Sequence, residues 1–242
     1  MRPLFITGIG TNVGKTVIAA IVTEALQAAY WKPVQAGFEE GTDTEWVGDR
    51  ISRPGGRLFP EAYRLALPAS PHISARKEGV TIRLETIVGQ YQAICAGALA
   101  PSRSSVPSAA IAPSSGPGTS GLPAFLVIEG AGGLFVPLNE TQFILDLVQQ
   151  LDATVILVSR NYLGSINHSL LTAEACRMRG LRVAGWIFND QYGQYESEIA
   201  HWTGIPAIAS IPFREGPDRE FIREQADRIR EPLRTVLPTP GW

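Results

Sequence analysis

The sequence predicts a three-layer α/β fold, a mostly parallel central sheet with helices on both faces. Two observations carry that expectation. Short apolar runs alternate along the chain with longer amphipathic stretches, the rhythm of repeated β-α units. The first apolar run passes directly into a glycine-rich turn and then a helical pattern. Ligands of such sheets gather at the carboxyl ends of the strands, so function is expected on the loops that follow them. Length and composition agree, since 242 residues at 45% apolar and 18% charged fit one globular domain near the upper size for a single core.

The elements follow in order. Residues 4–7 read as the first strand, and residues 16–29 as a helix whose Val17, Ile18, Ile21, Val22, Ala25 and Leu26 fall on one stripe. A second strand is expected at 31–35. The interval 100–123 then breaks the rhythm, because 15 of its 24 residues are Ser, Pro or Gly and Arg103 is its one charge. Such a segment has little side chain to bury. It reads as a surface insertion within a single domain spanning 1–242, since a split there would divide both the strand set and the site described next. Further strands are expected at 124–129, 154–159, 183–189 and 207–211, with helices at 143–151, 165–179, 196–203 and 219–230.

Several function classes fall away on composition. A formal net charge of -2 argues against a broad nucleic-acid footprint. Two cysteines without C-x-x-C spacing and three histidines without ligand spacing argue against a disulfide framework or a zinc site, and fit a reducing cytoplasm. No apolar run reaches the length that spans a bilayer, and the chain enters its first strand without a basic leader, so a soluble, unprocessed protein is expected. Of 21 basic residues only Lys15, Lys32 and Lys77 are lysines, which draws notice to the first two, where a compact ammonium is useful.

Between the first strand and helix lies Gly8-Ile9-Gly10-Thr11-Asn12-Val13-Gly14-Lys15-Thr16. A strand, a glycine loop, then a helix carrying Lys-Thr is the setting of a phosphate-binding loop, whose N–H groups and helix dipole converge on phosphate oxygens. Lys15 would reach the β- and γ-phosphates and the Thr16 hydroxyl would ligate Mg²⁺. Five residues separate Gly8 from Gly14, one more than the common pattern. Lys32 is either an edge-strand lysine in solvent or a second ammonium facing a transferring phosphoryl group. Glu129 ends an apolar strand before Gly130-Ala131-Gly132-Gly133, the place of a carboxylate serving Mg²⁺ or of a turn acid. Asp43 suits a metal ligand or the N-cap of the helix that follows. Leu163-Gly164-Ser165-Ile166-Asn167-His168 opens a helix and is a second anion site or a plain cap. Asn189-Asp190 closes a strand, and an amide there reads a purine edge or makes a turn.

Together these segments resemble the dethiobiotin synthetase family. The resemblance runs from residue 3 to about 213 through Val13-Gly14-Lys15-Thr16, Lys32-Pro33-Val34 with Gly37, Ser70-Pro71-His72, the Glu129 glycine cluster, the 163–168 segment, and Ala184-Gly185-Trp186 leading to Asn189-Asp190. It implies a P-loop-type fold and a cytoplasmic homodimer that uses ATP and Mg²⁺ to join CO2, or bicarbonate as its source, to 7,8-diaminononanoate. Lys15 and Lys32 would then be catalytic, with Thr16, Asp43 and Glu129 as the Mg²⁺ contacts. Asn12, Val13, Gly14, Lys15, Thr16, Val17, Asn189, Asp190 and Pro212 would hold the nucleotide. Thr11, Lys32 and Gly132 would face the diamine, and the partner's Gly164, Ser165, Ile166 and Asn167 would hold its carboxylate tail. Gly10, Asn12 and Ala36 depart from the family pattern, replacing acidic or hydroxyl side chains. Two other readings share the loop: a partitioning-type nucleotide switch and an ATP-dependent amidase of cobalamin synthesis.

Overall fold

The computed structural model describes residues 1–52, 57–102, 122–189 and 195–237; most of the Ser/Pro/Gly-rich interval, and Asp190, lie outside the described residues. Seven strands form one sheet. From edge to edge they are β4 (Leu58–Phe59), β2 (Ala29–Trp31), β6 (Phe125–Glu129), β1 (Arg2–Gly8), β7 (Thr154–Arg160), β8 (Val183–Asn189) and β9 (Ala207–Ile211). Every neighbouring pair is parallel. Parallel strands need crossovers and so have helices on both faces, which is why β6 is buried along its whole length and reads as an apolar run up to its last residue, Glu129.

Alternate residues of each strand feed two cores. Leu4, Ile6, Val127, Ile156 and Val158 face α1 (Lys15–Leu26), α2 (Asp43–Arg50) and α8 (Arg219–Val236). Phe5, Leu126, Ile128, Leu157, Trp186 and Phe188 face the other layer, built from α3 (Pro71–Lys77), α4 (Leu84–Cys95), α5 (Ile144–Gln150), α6 (Ser165–Met178) and α7 (Tyr195–Thr203). The three-layer parallel architecture expected from the sequence is therefore observed.

Three expected elements differ. The helix expected to run to residue 29 stops at Leu26, because Gln27 turns left-handed (φ 49°) and the Ala28 N–H reaches back to Thr23 O at 3.0 Å, a Schellman-type stop. Ala28 and Ala29 then lead into β2. The strand expected at 31–35 is two strands. Pro33 has no N–H to give a ladder, so β2 ends at Trp31, and the chain restarts as β3 (Val34–Ala36), paired in a separate two-stranded sheet with β5 (Tyr63–Leu65). Lys32 sits at that break, beyond the carboxyl end of β2 and beside the end of β6. α8 also runs past residue 230, to Val236.

Candidate functional site

The loop between β1 and α1 curls through two left-handed residues, Asn12 (φ 58°) and Gly14 (φ 89°). At Gly14 only glycine fits. Besides the positive φ, an added Cβ would lie 2.0 Å from Asn189 Nδ2. Gly14 caps α1, whose first turn carries no acidic side chain, so the N–H groups and dipole there face an anion without competition. Lys15 folds back across the loop and donates to Gly10 O at 2.8 Å.

Three separate segments bring charge to the mouth of this loop. Glu129 arrives on the end of β6, Lys32 on the β2–β3 break, and Asp43 on the first turn of α2. Lys32 bridges both carboxylates, pairing with Asp43 Oδ2 and with Glu129 Oε1 at 3.0 Å. Thr16 Oγ1 lies 2.7 Å from Glu129 Oε1 and 3.2 Å from Asp43 Oδ1. Glu129 is 1% exposed and Lys32 7%, so neither the solvent lysine nor the simple turn acid is what the chain builds. Asp43 is not the N-cap either. Thr42 takes that place in a capping box with Glu45, which leaves the Asp43 carboxylate to face Thr16 and Lys32.

Burial sets the protonation of the two lysines in opposite ways. Desolvation pushes Lys15 down to about 8, helped by the nearby Lys32 ammonium and opposed by Glu129 and Asp43. For Lys32 desolvation also acts downward, yet Glu129 and Asp43 together outweigh it and raise the pKa, holding the ammonium charged. Tyr30 is raised well above the ordinary phenol value, by burial first and Glu129 second, so its hydroxyl keeps its proton and donates to Glu129 Oε2 at 2.8 Å.

A cleft of about 1120 Å³ opens over this cluster, walled by Thr11, Asn12, Gly14 to Val17, Lys32, Asp43, Glu129 and Gly132 among others. Thr16, Asp43 and Glu129 offer only oxygen donors, a set suited to a hard divalent cation. Among the described residues no group of three or more His, Cys, Asp and Glu forms a metal cage, so a cation here would take its other ligands from phosphate and water.

Other expected contacts lie elsewhere. Val13 is buried beneath the loop, and Asn189 Nδ2 donates to Val13 O at 3.1 Å, tying the end of β8 to the loop. Pro212, half-buried, follows β9, whose last residue Ile211 pairs with Asn189. Gly164, Ser165, Ile166 and Asn167 do not line the cleft. Ser165 is fully buried, donating its N–H to Tyr162 O at 2.9 Å and accepting the Tyr162 N–H on its hydroxyl at 3.2 Å, so the outward N–H groups of α6 belong to Ile166 and Asn167.

Sequence reasoning missed Tyr30 and Gln35. Gln35 clamps the rim by donating to Gly37 O at 2.7 Å and accepting the Asp43 N–H at 3.2 Å. Tyr30 acts across 99 positions of sequence, and Gln35, though its partners lie close by, carries no motif that marks it. The Thr42–Glu45 capping box, by contrast, was readable from its spacing.

A family model described as an AAA domain matches residues 2–220. The ATP-dependent dethiobiotin synthetase BioD of Cytophaga hutchinsonii is 42% identical over 95% of this chain and 97% of its own length. The protein of the same name from Christiangramia forsetii is 39% identical over 96% of this chain and 98% of its own length. Among solved structures, the MinD cell division protein of Aquifex aeolicus superposes with a TM-score of 0.53 at 13% identity, covering 99% of both chains. A ParA family ATPase from Chlorobium tepidum gives 0.50 at 13% identity over 97% of this chain and 92% of its own. At such identity the two structures share the fold alone.

Proposed function

Because the chain belongs to the ATP-dependent dethiobiotin synthetase family, we propose that it joins CO2 to 7,8-diaminononanoate and closes the ureido ring, releasing ADP and phosphate. The observation that carries this reading is the Lys15–Lys32 pair set around the Thr16, Asp43 and Glu129 oxygens at the mouth of a phosphate-binding loop. A free amine of the diamine captures CO2 as a carbamate. A carbamate oxygen then attacks the γ-phosphorus, displacing ADP and leaving a carbamic-phosphoric anhydride. The second amine attacks the anhydride carbon, and the C–O bond to phosphate breaks as the ring closes. All bonds form between substrates, so the protein's work is placement and charge balance.

Lys15, adjustable in charge because burial holds it near 8, reaches toward the phosphate tail. Lys32, held charged by its two carboxylates, offsets the negative charge that passes to the carbamate oxygens. Thr16, Asp43 and Glu129 would hold Mg²⁺, which when bound neutralises phosphate charge. Thr11 and Gly132 on the cleft wall face the diamine, and Asn189 with Pro212 the base. The carboxylate tail is held by Ile166 and Asn167 N–H groups of a second subunit. The strong exposure of Leu163 and of Leu171 on α6, 87% and 61%, supports burial of that face in a homodimer. Cytoplasmic location fits the chemistry, which needs ATP. The partitioning-type switch has nothing beyond the fold in its favour, and the amidase reading has no support among the relatives compared.

The test is phosphate release from ATP. It should require diaminononanoate and bicarbonate together; hydrolysis indifferent to both would overturn the reading.

A further inference from the structure

We infer that Tyr30 is a positioning residue for the metal site, its buried hydroxyl fixing which oxygen of Glu129 faces the cleft. The inference deepens, and rests on, the reading of Thr16, Asp43 and Glu129 as Mg²⁺ contacts. Tyr30 stands on β2 opposite Val127 of β6, and so shares a sheet face with Glu129, two residues further on. Its ring is wholly buried in the core beneath α1, among the aliphatic side chains of that layer, with no freedom to move aside.

The Glu129 carboxylate divides its oxygens between two environments. Oε1 meets Lys32 Nζ at 3.0 Å and Thr16 Oγ1 at 2.7 Å, on the cleft side. Oε2 points into the core and meets the Tyr30 hydroxyl at 2.8 Å. A carboxylate on a free χ3 would turn either oxygen toward Lys32. With the phenol in place, one orientation satisfies both ends, and a buried acceptor left unmade opposes rotation away from it. The hydroxyl therefore aims Oε1, in the manner of outer-shell partners that orient metal ligands. Neither neighbour offers the same hold, since Lys32 and Thr16 each divide their contacts between Glu129 and Asp43.

The experiment is a Mn²⁺ titration by electron paramagnetic resonance, in the presence of a non-hydrolysable ATP analogue, on the full chain. Tyr30→Phe, which removes one oxygen atom, should weaken Mn²⁺ uptake by about tenfold or more, with analogue binding in EDTA unchanged. In the double-mutant cycle, Tyr30→Phe placed on Glu129→Gln should cost nothing further. Wild-type Mn²⁺ affinity in folded Tyr30→Phe, with only a lower melting temperature, would overturn the positioning role while leaving the site reading intact. Absence of Mn²⁺ uptake by the wild-type chain would instead overturn the site reading and this inference together. Should Tyr30→Phe not fold, the Tyr30 hydroxyl proton of the wild-type chain decides by NMR: a resonance that shifts when Mg²⁺ joins the analogue complex supports the role, and one that does not shift overturns it.

Discussion

Lys15 is held by burial in surroundings that disfavour its charge. In the unfolded chain it carries its proton up to about the ordinary 10.5; in the fold, burial lets it go near 8. The depressed base pKa means that the fold is penalised wherever the group must be charged. The penalty is fully present below pH 8 and is relieved as the pH rises from 8 toward 10.5, so stability of the ligand-free protein should increase across that window. The shift corresponds to about 3 kcal/mol, offset by about 1 kcal/mol from the bond to Gly10 O. Lys15→Met should therefore raise ligand-free stability at pH 7 by about 2 kcal/mol while abolishing turnover. Urea melts at pH 7 and pH 10 check it, and an equal gain at both would refute the electrostatic cause. Lys32 has the opposite character. Its ammonium lies between two carboxylates, so Lys32→Ala should lower kcat by a factor worth about 3 kcal/mol or more. The variant should also melt earlier, since it leaves Glu129 buried without its counter-charge. Normal turnover in a folded Lys32→Ala protein would remove its assigned role.

At the scale of elements, the join between the loop and β8 is where sequence and fold constrain each other most tightly. Gly14 has a positive φ and Asn189 fills the space where its Cβ would stand. Gly14→Ala should cost about 1 kcal/mol for the backbone alone, more for the clash, and should weaken nucleotide binding. Asn189→Ala on that background leaves the nearest contact at the Asn189 Cβ, 3.4 Å away, and should restore part of the stability. Calorimetric melts of the pair test this, and no recovery would place the strain elsewhere. A second check lies on α6, where Cys176 is 1% exposed and burial pushes its thiol up to about 12. At pH 8 a thiol reagent should consume one equivalent from native protein, at the part-exposed Cys95, and two in denaturant. These elements also mark how far the sequence could be read. β1, the loop, α1 and β6 were legible because glycine spacing and unbroken apolar runs are local consequences of a buried parallel strand meeting an anion site. The break at Pro33 was overlooked although proline marks it, since apolar residues stand close on both sides of it, Trp31 before and Val34 after. Tyr30 left no mark, because its hydroxyl finds Glu129 across 99 positions of sequence. Asp43 kept two readings until the Thr42 cap removed one.

Over the whole molecule, the cleft gathers the residues proposed to handle the phosphates but not the helix end proposed to grip the carboxylate tail. The N–H groups of Ile166 and Asn167 start α6, outside the residues that wall the cleft. If a second copy supplies them, each site is composite, and the two halves can be inactivated separately. Lys15→Ala disables the phosphate half. Ile166→Pro removes one N–H from the first turn of α6, where that donor has no partner within the helix, and so should raise KM for the diamine, at some cost in stability because Ile166 packs partly buried against the core. Neither variant alone should turn over at low diamine. Mixed in equal amounts with subunit exchange, half of the dimers become hybrids, and in each hybrid one site carries both substitutions while the other carries neither. About a quarter of wild-type activity should then return, as closed two-fold symmetry requires. If every site were built within one subunit, each site in the mixture would keep one lesion and activity would stay at the level of the separate variants.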